Sequence, residues 1–130
     1  MNYTFPPGVP EIPVSNIDQA TAYYKDHLGF SIDWVSGGIA GISRGSCRMF
    51  MTDTEFRQSN RNAAPVVVWL NLSSKDEVND LHDRWQRSEA KIVSPPESKP
   101  FGLHEFTAVD LDGNMFRVFY DFGTQVERPE

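Results

Sequence analysis

The chain has 130 residues, with 12 basic and 18 acidic side chains and a formal net charge of −6. That length fits one domain able to fold without staples, and a single cysteine excludes a disulfide framework or a multi-thiolate zinc site. Acidity without a basic cluster argues against nucleic acid. The longest clean apolar run, about Val66–Leu70, falls far short of the ~20 residues that span a bilayer. Met1–Pro7 has neither a charged n-region nor an apolar h-region, so no signal peptide and a cytoplasmic location are expected.

Gly8–Val14 is apolar but interrupted by Pro10 and Pro13. Proline cannot donate to a ladder, so an edge or irregular strand is predicted. Ser15 or Asn16 caps a helix, with Asp18 in its first turn. Ile17, Ala20, Tyr24 and Leu28 recur at helical spacing and Gly29 stops the helix. Phe30–Val35 is a strand with Phe30, Ile32 and Trp34 on one face. Gly37-Gly38 turns the chain into Ile39–Ser43, and Arg44-Gly45-Ser46 leads to Cys47–Thr52. Asp53–Ala64 is polar and reads as a linker. Pro65–Leu72 is strongly β-prone. Ser74-Lys75-Asp76-Glu77 is a capping box, and Val78, Leu81 and Trp85 form the stripe of a second helix ending near Ser88. Lys91–Ser94 is a short strand, and Pro95–Gly102, with three prolines, is an irregular loop. Leu103–Val109 and Met115–Phe122 are strands joined across Asp112-Gly113. Thr124–Glu130 reads as a frayed end.

The two halves repeat one order: strand, helix, three strands. Ile12-Pro13-Val14-Ser15-Asn16 corresponds to Leu70-Asn71-Leu72-Ser73-Ser74, and Met49-Phe50-Met51 to Phe116-Arg117-Val118. The longer spacing in the second half fits an insertion at Pro95–Gly102. Internal repetition fixes architecture. The prediction is an α+β fold of two βαβββ modules, at about residues 8–53 and 65–122, within one domain over residues 1–130.

Two segments carry a family resemblance. Ile12-Pro13-Val14-Ser15-Asn16-Ile17-Asp18-Gln19-Ala20, with Tyr23-Tyr24 and Leu28-Gly29-Phe30, is one. His104-Glu105-Phe106-Thr107 followed by Asp110-Leu111-Asp112-Gly113-Asn114 is the other. In this order they resemble the vicinal oxygen chelate superfamily of glyoxalases, bleomycin-resistance proteins and extradiol dioxygenases, and the bleomycin-resistance proteins most closely. Leu111 replaces the family's usual proline and Asn16 its aspartate. The resemblance implies a curved mixed β-sheet enclosing a cavity.

Metal-using relatives place His, Gln or Glu at four strand positions facing that cavity. Carried over, these fall on Val9, Phe50, Val67 and Arg117. None is a donor for a divalent cation, so no metal and no cofactor are expected. Of the three histidines, His27 and His82 fall on helices and are expected on solvated or partly covered faces, while His104 stands in a strand beside Glu105. Adjacent strand residues point to opposite faces and cannot clamp one ion together. A displaced site using Glu11 with Glu105 is the competing reading. It would make the protein a metal-dependent lyase, isomerase or thiol transferase. Cys47 reads as a small core residue rather than a nucleophile.

Without a metal, the resemblance implies a binding protein rather than an enzyme: a homodimer that sequesters a cationic, flat-ringed antibiotic of the bleomycin type in interface grooves. Alternation along the strands gives the expected ligand-binding set: Glu11, Trp34, Phe50, Trp69, Asn71, Arg117 and Phe119. The aromatics stack on rings and Glu11 attracts a cation. The competing reading is that these aromatics are ordinary core and that Arg117 pairs with Glu11 across the sheet. Trp85 is assigned to the core. Pro6, Pro7 and Pro10 suit an arm exchanged between subunits.

Overall fold

The computed structural model describes residues 4–58 and 63–123. The expected Thr124–Glu130 end lies outside the described residues. Among the described residues eight strands and two longer helices follow the predicted order, and one short helix, α2, is added: β1 Glu11–Pro13, α1 Ile17–Asp26, β2 Ser31–Ser36, β3 Ile39–Arg44, β4 Cys47–Thr52 and α2 Thr54–Arg57. The second half runs β5 Val67–Asn71, α3 Lys75–Arg87, β6 Lys91–Ser98, β7 Leu103–Val109 and β8 Met115–Asp121. The strands build two four-stranded mixed sheets, sheet A in the order β1-β4-β3-β2 and sheet B in the order β5-β8-β7-β6. In each, the first strand runs parallel to the last and the other pairs are antiparallel. The repeat read in the sequence is therefore realised as one topology used twice.

Local chemistry sets the helix ends. Asn16 Oδ1 accepts from the Gln19 N–H at 2.9 Å and opens α1. Gly29, at a φ of 76°, ends that turn in the left-handed region where a Cβ is costly. At α3 the Ser74 hydroxyl accepts from Glu77 N–H at 3.1 Å, and Glu77 Oε1 accepts from Ser73 N–H at 2.8 Å. These bonds satisfy donors that a helix start leaves free.

Three predictions on elements are corrected. Asp53–Ala64 is not all linker, because Asp53 Oδ1 accepts from Phe56 N–H and caps the single turn of α2. Residues 59–62 lie outside the described part. The prolines of Pro95–Gly102 do not end β6, which continues to Ser98 and pairs Glu97 with Glu105 and Ser98 with His104. β6 is the outer strand of sheet B, and its register with β7 shifts between Ser94 and Glu97, so neither proline takes a paired position in the ladder. Third, β2 does not keep Phe30, Ile32 and Trp34 on one face. Its register slips between Ile32 and Trp34, and a one-residue slip reverses every later side chain. Phe30 is buried and Ile32 packs on the core, whereas Trp34 is 41% exposed.

One core cluster holds both modules together. It contains Ile12, Val14, Ile42, Met49 and Met51 from sheet A, Tyr24 and Leu28 from the α1 region, Val78 and Trp85 from α3, and Phe106, Phe116 and Val118 from sheet B. Trp85 is core as expected, and its indole N–H donates to Leu28 O at 3.0 Å. Tyr24 packs edge-on against Phe116 and donates its hydroxyl to Asp110 Oδ2 at 2.6 Å. Asn114 is fully buried. Its amide donates to Pro13 O of the first module and its Oδ1 accepts from Val66 N–H of the second. His82 is buried against Phe106 rather than on a solvated face, because its ring completes the apolar stripe of α3.

Candidate functional site

The helix-facing side of each sheet is consumed by the core, so the opposite faces are what remains for binding. On sheet A the registered row is Glu11–Phe50–Gly41–Trp34. Trp34 and Phe50 stand with ring centroids 5.6 Å apart. They meet across Gly41, where a Cβ would sit 2.4 Å from the indole Nε1. The absent side chain is thus what lets the indole lie against the strand. Glu11 Oε2 accepts from the Thr52 hydroxyl at 3.0 Å, and Asp33 Oδ1 accepts from the Ser43 hydroxyl at 3.1 Å.

On sheet B two registered rows matter, Trp69–Arg117–Thr107 and Asn71–Phe119–Glu105. Trp69 and Phe119 are edge-to-face at 5.5 Å. The Arg117 guanidinium carbon lies 5.4 Å from the Trp69 ring centroid, within cation–π range. Arg117 does not reach Glu11. Its Nη1 lies 3.9 Å from Glu105 Oε1, because Thr107, the registered neighbour of Arg117, is two residues along β7 from Glu105. The Glu105 side chain is only 7% exposed, and its Oε2 has no hydrogen-bond partner among the described residues.

The seven expected residues therefore form two clusters. Glu11, Trp34 and Phe50 belong to sheet A, and Trp69, Asn71, Arg117 and Phe119 to sheet B. Both tryptophans are open to solvent, Trp34 at 41% and Trp69 at 48%.

A separate cleft of about 580 Å³ opens beside the β3–β4 hairpin, where Arg44 and Cys47 face Trp69, Asn71, Arg84 and Trp85. Only Trp69 and Asn71 of the seven expected residues reach it. Cys47 is partly buried in its wall, and burial pushes the thiol up from its ordinary value. Sequence reasoning missed this cleft. It depends on how one module's hairpin tip meets the other module's helix, and no local pattern encodes that.

Val9, Phe50, Val67 and Arg117 offer no ligand atoms. No group of three His, Cys, Asp or Glu residues among the described residues is placed to hold an ion. No helix among the described residues is long and apolar enough to cross a membrane.

A family model described as the Glyoxalase/Bleomycin resistance protein/Dioxygenase superfamily matches residues 7–118. No curated protein matches the chain. Among solved structures, a glyoxalase/bleomycin resistance protein/dioxygenase from Nocardioides superposes with a TM-score of 0.78 at 15% identity, covering 99% of this chain and 91% of that one. A bleomycin-binding protein from Streptomyces verticillus, in complex with copper(II)-bleomycin, gives 0.69 at 24% identity, with 90% and 97% covered. A lactoylglutathione lyase from Agrobacterium tumefaciens gives 0.70 at 19%, with 88% and 95% covered. Likeness at these identities is a likeness of fold.

Proposed function

Because this chain belongs to the Glyoxalase/Bleomycin resistance protein/Dioxygenase superfamily while its carried-over ligand positions hold no metal donors, we propose that it is a metal-free binding protein for flat, cationic aromatic molecules of the bleomycin type. The observation that carries this reading is the pair of uncovered aromatic faces, Trp34 with Phe50 and Trp69 with Phe119. Large exposed aromatics clustered on a sheet face mark a binding surface. Edge-to-face and stacked ring pairs contribute ~1 kcal/mol each beyond burial.

In this reading two copies associate so that sheet A of one faces sheet B of the other, and the ligand lies between them. Sheet A presents Glu11 and Asp33 together with Arg48, and sheet B presents Arg117 beside Glu105. Glu11 attracts the cationic part of the ligand, the four rings hold its planar part, and Asn71 bonds its polar edge. No bond is made or broken.

Calorimetry with copper-free and copper-bound bleomycin tests the reading. Stoichiometric binding without turnover is expected. No heat from either form at high micromolar concentration overturns the bleomycin assignment. A stoichiometric Zn²⁺, Ni²⁺, Mn²⁺ or Fe²⁺ ion in the purified protein overturns the metal-free reading in favour of a lyase, isomerase or thiol transferase.

A further inference from the structure

The cleft beside the β3–β4 hairpin lies away from the Trp34–Phe50 face and has a chemistry of its own. Its walls are apolar: Phe30, Leu70, Leu72, Leu81 and Trp85. Its volume of about 580 Å³ falls within the ~300–1,000 Å³ of ordinary small-molecule sites. Arg44, Arg84 and one acid, Asp80, are among its lining residues, and both arginines also border a smaller cleft of about 180 Å³ beside Leu28, Gly29 and Ser88. In a chain of net charge −6, this is a local reversal of sign.

The two cations are held differently. Arg84 Nε lies 2.9 Å from Asp80 Oδ2, in an exposed pair one helical turn apart. Arg44 Nη1 donates to Leu28 O at 2.7 Å, and no carboxylate of the described residues is within ion-pair distance of it. The carbonyl bond explains why Arg44 lies near the end of α1, but it uses one of five donors. Burial and the neighbouring Arg84 together push the Arg44 guanidinium below its usual value. Two like charges therefore line one largely apolar cleft that holds a single acid, Asp80, on the Arg84 side.

We propose that this cleft binds a small organic anion, a carboxylate or phosphate monoester carried on a flat apolar body. The anionic group is bridged by Arg44 and Arg84, and the body lies along Trp85, Leu81 and Leu70. An anion relieves the repulsion between the guanidiniums and accepts from donors that the protein leaves open. Planar forks of this kind favour two-oxygen acceptors. The cleft shares Trp69 and Asn71 with the sheet B face, but its anion-binding pair, Arg44 and Arg84, has no part in the antibiotic-binding reading, so the proposal survives the failure of that reading.

Cys47 supplies the reporter, as the single cysteine of the chain and a wall residue of the cleft. The intact chain is treated with iodoacetamide at alkaline pH in the presence of 1-naphthoate, 1-naphthyl phosphate or 1-naphthylmethylamine, and alkylation is followed by mass. Calorimetry with the same probes gives affinities. Either anion is expected to slow alkylation, the more protective one identifying the headgroup, while the amine leaves the rate unchanged. Arg84→Gln, an exposed position whose loss leaves the fold intact by circular dichroism, weakens anion binding about tenfold. Lys25→Gln makes the same change of net charge on α1 and leaves affinity unaltered. Failure of both anions to protect, equal protection by the amine, or full anion affinity in Arg84→Gln overturns the proposal.

Discussion

His104 shows how two neighbours select one tautomer of a side chain. Asn79 Oδ1 lies 2.8 Å from its Nε2 and can only accept, so that nitrogen carries the proton. Nδ1, 2.9 Å from the Ser98 hydroxyl, is then free to accept from it. The ring is buried, and desolvation, with Lys75 nearby, lowers its pKa from the ordinary histidine value. The sign follows from linkage. As pH falls, the unfolded chain binds this proton first, near ~6.5, so His104 contributes stability that is present above that pH. The contribution is lost as pH drops through the lower folded-state value. Urea midpoints measured between pH 7.5 and pH 5.5 are expected to fall less steeply for His104→Gln than for the parent. Equal slopes would remove His104 from the account.

At the scale of the element, β2 is the instructive case. The register slip after Ile32 turns Trp34 away from the core, and Gly41 on β3 gives the indole room. The sequence offers an alternation, Phe30, Ile32, Trp34, that reads as one face. The slip takes up one extra residue, Asp33, and leaves no composition signal, so it is invisible before pairing is known. Gly41→Ala is expected to swing the indole outward, because the far end of a side chain yields more easily than a strand. The loss of the Trp34–Phe50 pair costs about 0.5–1.5 kcal/mol and shifts tryptophan emission to the red. Unchanged emission and stability would contradict the placement. β6 erred in the opposite direction: its prolines punctuate the sequence but are tolerated at an edge. By contrast, both helix starts were legible, because Asn16 and the Ser74–Glu77 box act through bonds made within a few residues.

For the whole molecule, the repeat carried most of the fold into view. Once one module is recognised as βαβββ, the second follows from its matching strand ends and capping residues. All seven candidate positions fall on the strands assigned to them, but the face that Trp34 takes is set by the register slip in β2 rather than by alternation. What the sequence could not show is that a single chain divides them between two sheets, nor that Arg117 finds Glu105 rather than Glu11. Those outcomes depend on module packing and on β7–β8 register. The division leads to a prediction about assembly. Sedimentation equilibrium at high micromolar concentration is expected to give a dimer, and Trp34→Asp with Trp69→Asp to give a folded monomer. A monomeric parent chain would separate the two aromatic faces for good.

The prolines of β6 have a consequence beyond their own strand. Sheets lengthen by adding strands at their margins, and unpaired margins are where proteins join into fibres. Here Pro95 and Pro96 occupy the β6 margin of sheet B, and Pro10 and Pro13 stand at or beside β1 on the margin of sheet A. Both margins are interrupted as templates for an incoming strand. A chain so guarded is expected to resist ordered polymerisation at those two margins when concentrated, whereas the β2 and β5 margins carry no proline and remain the sides at which a strand could add.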